Sequence, residues 1–190
     1  MSTPAQAGGD TWLVVIDMQV IFGAADSGWF TPGYPQIEPA VVRLVEAFAG
    51  RTVFTRFIAP KQPQGAWVPY YEQWPFALVP SDHPSYDLMP AFAGTSEPVV
   101  SCTTFGKWGP ELAGLLGPDP TMVLVGVSTD CCVLSTALAA ADAGVRVRVV
   151  SDACAGLSPA DHQRALDAMA LYGPLIEVTT VDHVLGQVAR

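Results

Sequence analysis

The stretch GVSTDCCVLSTALAAADAG, residues 126–144, puts two cysteines, Cys131 and Cys132, where an apolar run turns into a helical pattern. A thiol at the start of a helix meets the positive end of the helix dipole, which favours the thiolate. The first-turn N–H groups lack helical acceptors and can receive the oxygen of a carbonyl under attack. The chemistry this stretch could do is therefore nucleophilic attack on a carbonyl. Such attack needs a base and, in a dry site, a cation to keep that base ionised. Asp17, in VVIDMQ, ends another apolar run and can take the thiol proton. Lys107, in TTFGKWGPEL, is one of only two lysines, the other being Lys61. Each residue alone has a plainer explanation: free cysteine is commonly buried, aspartate commonly ends strands, and lysine is commonly solvated. Only convergence of the three on one place would give them a joint role.

The elements decide whether they converge. Apolar runs over 12–16, 52–57, 122–127 and 145–150 predict buried parallel strands, and 98–102 and 175–180 add two weaker ones. Helical patterns fall between them, over 36–50, 109–117, 131–144 and 158–173, with a short helix after Asp182. Ser158-Pro159 reads as an N-cap and first helical position. Strands alternating with helices predict one α/β domain, a three-layer α/β/α sandwich around a six-stranded parallel sheet. In a 3-2-1-4-5-6 strand order, strands one and four are neighbours about 4.8 Å apart. Ligands bind at that switch point, beyond the carboxyl ends of the strands. Asp17 and the cysteines then share one crevice, and Lys107 sits on the same edge.

Residues 59–94 depart from the alternation. They are rich in proline and aromatics and too long for an ordinary connection, so they predict an excursion that covers the substrate. Trp67, Tyr70 and Trp74, together with Trp108, are candidate pocket residues; the plainer alternative is that they pack the excursion onto the body. Residues 1–10 read as a flexible tail without the features of a signal peptide.

Composition narrows the partners. The formal net charge of −9, with nine Lys plus Arg, argues against nucleic acid and anionic membranes. No apolar run approaches the roughly 18–20 residues of a membrane span. Four cysteines without framework spacing read as free thiols in a reducing cytoplasm. Three histidines and no CxxC pair leave little for zinc. The expected partner is a small-molecule substrate, and the high apolar fraction fits a homo-oligomer.

VVIDMQ, GVSTDCCVLSTALAAADAG and VVSDACAG together resemble the isochorismatase-like cysteine hydrolases, over about residues 11–183. The pattern G-x-x-T-x-x-C-V-x-x-T-A is matched by Gly126, Thr129, Cys132, Val133, Thr136 and Ala137. The resemblance implies that Cys132, the cysteine before the valine, is the nucleophile and that Asp17 is the acid–base residue. It implies an oxyanion hole from the N–H groups of Ser128 and Cys132, with a cis peptide between Val127 and Ser128. Helix geometry agrees, since it places Cys131 about 100° away on a half-exposed face. The family lysine ordinarily precedes a Ser-x-Phe stretch; here Ser101 and Cys102 occupy that region and Lys107 follows Phe105, so the role falls to Lys107 from a shifted position. Nicotinamidases of the family hold a metal through an Asp-x-His and a later His after strand two. TRFIAPKQPQG contains neither residue type, so no metal or other cofactor is expected.

The resulting expectation is a hydrolase of small amides. Asp17, Lys107 and Cys132 form its triad, and the reaction passes through a thioester on Cys132. Two alternatives are an isochorismatase-type vinyl ether hydrolase, which needs an acid but no thiol, and a non-catalytic domain that binds a small molecule or senses redox state through Cys131 and Cys132.

Overall fold

The computed structural model describes residues 11–188; the expected tail, residues 1–10, lies outside them. Six strands form one all-parallel sheet: β1 (Thr11–Ile16), β2 (Thr52–Phe57), β3 (Val99–Cys102), β4 (Thr121–Val127), β5 (Arg146–Ala155) and β6 (Ile176–Thr179), in the order β3-β2-β1-β4-β5-β6. The central strands are apolar on both faces because both are covered. Val14 and Ile16 join one core, and Leu13 and Val15 join the other.

Between β1 and β2 lie α1 (Val20–Gly23) and α2 (Tyr34–Ala47). In α2, buried Tyr34, Ile37, Val41 and Leu44 recur at helical spacing and pack on the Leu13–Val15 face. The other face is covered by α4 (Pro110–Leu116), α5 (Leu134–Asp142) and α6 (Pro159–Ala170) through Leu112, Ala137 and Met169. The Ser158 side chain caps α6 by accepting from Asp161 N at 3.1 Å, and Pro159 takes the first helical position. The closing helix α7 (Val181–Val188) returns to the α2 side through Val181 and Val184.

Three features differ from the sequence-based expectation. First, the excursion has regular structure of its own: α3 (Trp67–Gln73) and two short 3₁₀ turns, Pro75–Ala77 and Pro84–Tyr86. Pro69, Pro75 and Pro84 stand in first helical turns, where a missing N–H is tolerated. Buried Gln19 stitches it to the sheet. Gln19 Nε2 donates to Phe57 O at 3.0 Å and to Tyr86 O at 2.8 Å, and Gln19 Oε1 accepts from Phe57 N at 2.7 Å. Second, β5 runs five residues beyond its apolar stretch, because a register shift against β4 lets SDACA continue the ladder to Cys154 and Ala155. Third, the helix carrying the cysteines opens with a wide π turn, Thr129–Val133, before α5 begins.

Candidate active site

Asp17 follows directly on β1 and turns the chain at φ 49°, a left-handed conformation that aspartate tolerates better than most residues. Thr55, on the neighbouring strand, holds it twice. Thr55 Oγ1 donates to Asp17 Oδ1 at 2.7 Å and accepts from Asp17 N at 3.2 Å. The remaining carboxylate oxygen, Oδ2, lies 2.9 Å from Lys107 Nζ, and both side chains are wholly buried.

Lys107 sits between β3 and α4 and is tied to the cysteine turn through its backbone. Its N–H donates to Thr136 Oγ1 at 3.0 Å, and that hydroxyl donates to Cys132 O at 2.6 Å. The ammonium also donates to Thr104 O at 2.8 Å and lies 5.3 Å from the centre of the Phe57 ring. Burial pulls the Lys107 ammonium down, but Asp17, with Cys132 behind it, outweighs burial and holds the pKa above the usual lysine value.

Cys132 is buried, and its side chain meets Asp17. Its thiol differs from the sequence-based expectation. Burial and the Asp17 carboxylate push it well above the ordinary cysteine range, and Lys107 only partly offsets them. Desolvation outweighs any helix dipole, and the first turn here is a wide π turn rather than a regular α turn. The resting residue is a thiol, so any nucleophilic attack by it would require its proton to leave. The carboxylate beside it can accept that proton, and the cation behind the carboxylate stays charged throughout.

The sulfur opens on a cavity of about 300 Å³, lined among others by Trp29, Phe57, Tyr70, Trp74, Ser128 and Cys132. Tyr70, pushed up to about 12 by burial and then by the two cysteines, is a neutral phenol. Tyr70 and Trp74 thus line the cavity, whereas Trp67 and Trp108 do not. Trp67 stands behind the wall, its ring 5.2 Å from Tyr70 and 5.3 Å from Phe105. With Lys107 directed into the site, Trp108 packs against the core beneath α4 and α5. Cys131 also lines the cavity instead of facing away, consistent with the wide turn, and its sulfur lies 3.8 Å from Asp130 Oδ2. The Val127–Ser128 peptide is cis, and Ser128 is on the cavity wall.

The sequence profile of the isochorismatase domain matches residues 11–182. The chain belongs to the isochorismatase family. A curated relative, isochorismatase domain-containing protein 2 of Xenopus laevis, is 39% identical over 88 residues, 45% of this chain. That match spans 42% of the relative's own length. In fold the chain is similar to a cysteine hydrolase from Pseudomonas syringae pv. phaseolicola 1448A (TM-score 0.83, 20% identity, 95% of this chain and 92% of that one). It is also similar to a nicotinamidase from Bacillus subtilis (TM-score 0.70, 22% identity, 90% and 99%). A third similar structure is a pyrazinamidase of Pyrococcus horikoshii in complex with zinc (TM-score 0.73, 24% identity, 90% and 99%). Among the described residues of this isochorismatase-family chain, no three His, Cys, Asp or Glu side chains group as metal ligands, so its residues do not fit such an ion.

Several contributors to this site were not singled out from the sequence. Thr55 reads as an ordinary member of a strand, and Thr136 enters only as a matched pattern position, with no contact assigned to it. Trp29 lies in GAADSGWFTPG, which carries no periodic signal. Its ring nevertheless contacts Phe22, Phe57, Tyr70, Trp74 and Phe76, with centroids 5.3 to 6.3 Å away. A large aromatic amid small polar residues was the available signal.

Proposed function

We propose that this isochorismatase-family hydrolase is a cysteine hydrolase that cleaves the C–N bond of a small amide. The observation that carries the reading is the fully buried Asp17–Lys107 ion pair, 2.9 Å across, set against the Cys132 thiol. Asp17 takes the thiol proton as Sγ bonds to the carbonyl carbon. The developing oxyanion is received by the N–H groups of Ser128 and Cys132. Support for these donors comes from the local turn: the flanking N–H groups of Cys131 and Val133 are already spent on Ser128 O, at 3.2 and 3.1 Å. Asp17 then returns the proton to the nitrogen, the C–N bond breaks, and ammonia or an amine leaves. Water, deprotonated by Asp17, attacks the thioester; the acid departs and Cys132 recovers its proton. Lys107 supplies the positive charge that pairs with the Asp17 carboxylate in this water-free site. A vinyl ether hydrolase would leave this thiol idle.

The test compares Cys132→Ala with Cys131→Ala, scored as amide hydrolysis per folded molecule. Cys132→Ala is expected to abolish turnover, whereas Cys131→Ala retains most of it. Intact-mass spectrometry during turnover should find the acyl adduct on the parent enzyme and lose it in Cys132→Ala. Full activity in Cys132→Ala would defeat the thioester mechanism.

A further inference from the structure

We infer that the cavity selects an amide carrying a positive charge, seated against the aromatic wall of Trp29, Tyr70 and Trp74 with Asp130 as its counter-ion. This inference rests on reading the site as an amide hydrolase and adds the class of substrate. Six aromatic side chains line the space, the three named and Phe22, Phe57 and Phe105. The faces of aromatic rings are electronegative and attract cations, most strongly where water is excluded. The wall already has one such neighbour, the Lys107 ammonium at Phe57.

Among the described residues lining the cavity, Asp130 is the one acidic or basic side chain apart from the two cysteines and Tyr70. Its Oδ1 accepts from Leu157 N at 2.9 Å, which fixes the carboxylate in place. Its Oδ2 has only the Cys131 thiol at 3.8 Å, a weak contact that leaves lone pairs for a ligand. Among the described residues, no lysine, arginine or histidine lines the cavity. Lys107 is neutralised by Asp17 behind the thiol. Arg164 is largely exposed and bonded to Asp161 at 2.7 Å. His162, which bonds Thr129 Oγ1 at 2.8 Å, is driven by burial toward its neutral form. A carboxylate-bearing amide would therefore face ring faces and Asp130 without a compensating cation. An ammonium would meet both favourably, and the net charge of −9 would favour its approach from a distance.

The experiment uses three benzamides carrying an aminomethyl, an ethyl or a carboxymethyl group at the meta position. The methylene insulates the reacting carbonyl from the charge, so differences report the pocket. For the parent enzyme, kcat/KM is expected to be about tenfold or more higher for the ammonium than for its neutral isostere, and lowest for the carboxylate. Asp130→Asn, which keeps the acceptor for Leu157 N, should lower the ammonium-to-ethyl ratio about tenfold. Equal or reversed ratios in the parent, or an unchanged ratio in Asp130→Asn, would overturn the inference. Binding of the same three compounds to Cys132→Ala, followed by tryptophan fluorescence, separates this inference from the catalytic reading. Preferential binding of the ammonium without turnover of any amide by the parent would leave the pocket inference standing and remove the hydrolase. Turnover with preference for the carboxylate would do the reverse.

Discussion

Asp17 and Lys107 have given up water entirely, and each does so only because the other is there. Desolvating one such charge costs several kcal/mol, and removing one partner leaves the other without compensation. Lys107→Met and Asp17→Asn are each expected to lose about 3–5 kcal/mol in urea unfolding. The double variant should be more stable than the sum of the two losses implies, because no lone charge then remains buried. Additive losses would show that the pair is not coupled. All three variants should be inactive, since the proton acceptor is removed or left without its cation. At this scale the sequence singled out an aspartate at a strand end, one of only two lysines and a motif cysteine, and the structure brings Asp17, Lys107 and Cys132 together. The sequence was silent on the hydroxyls that hold them. A threonine in TVFTRF looks like any β-former, and only the β1–β2 register reveals that Thr55 reaches Asp17.

The elements were legible wherever period and punctuation agreed. All six strands overlap their apolar runs, and β1, β2 and β4 match them to within a residue, since a parallel strand buried on both faces has to be apolar throughout. Helix α3 was not legible, because WVPYYEQ has a proline and no clear apolar face, and it is packed through Tyr71 into a satellite cluster with Ile21, Phe57 and Tyr86. Gly126 on β4 is paired with Ile16 on β1. Its φ is 108°, and a Cβ there would stand 2.1 Å from Ile16 O. No side-chain motion can relieve that contact, so β1 itself would have to move, taking Asp17 with it. Gly126→Ala is expected to cost more than about 3 kcal/mol in thermal or urea unfolding. Gly50→Ala is the control: its φ is 77°, but a Cβ would meet nothing within 4 Å, so only about 1 kcal/mol of backbone strain is expected. Similar losses in both variants would refute the role assigned to the β1–β4 contact.

Across the whole molecule, groups that are buried in their neutral form set how stability responds to pH. Burial raises all four cysteines, and Cys154, buried on β5, reaches about 12. In the unfolded chain such a thiol ionises near its ordinary value of 9. Above that pH the unfolded state sheds a proton that the folded state keeps, so stability falls as pH rises. Each such group contributes a slope of about 1.4 kcal/mol per pH unit until its folded form ionises too. Lys107 acts in the same direction, since its folded pKa is raised: its contribution is complete below the ordinary lysine value of 10.5 and is lost as pH climbs through the raised one. Urea unfolding should therefore give similar stabilities at about pH 7 and 8, then a steep decline above about pH 9. Cys154→Ala tests the cause separately from the effect. It should be less stable than the parent at pH 7.5 by about 1–2 kcal/mol, the cost of a small cavity. Its decline between pH 9.5 and 11 should nevertheless be shallower by about 1.4 kcal/mol per pH unit, because one titrating group is gone. An unchanged slope in that variant would mean that the alkaline transition belongs to other groups, and a parent whose stability stays flat to pH 11 would contradict the buried neutral thiols altogether.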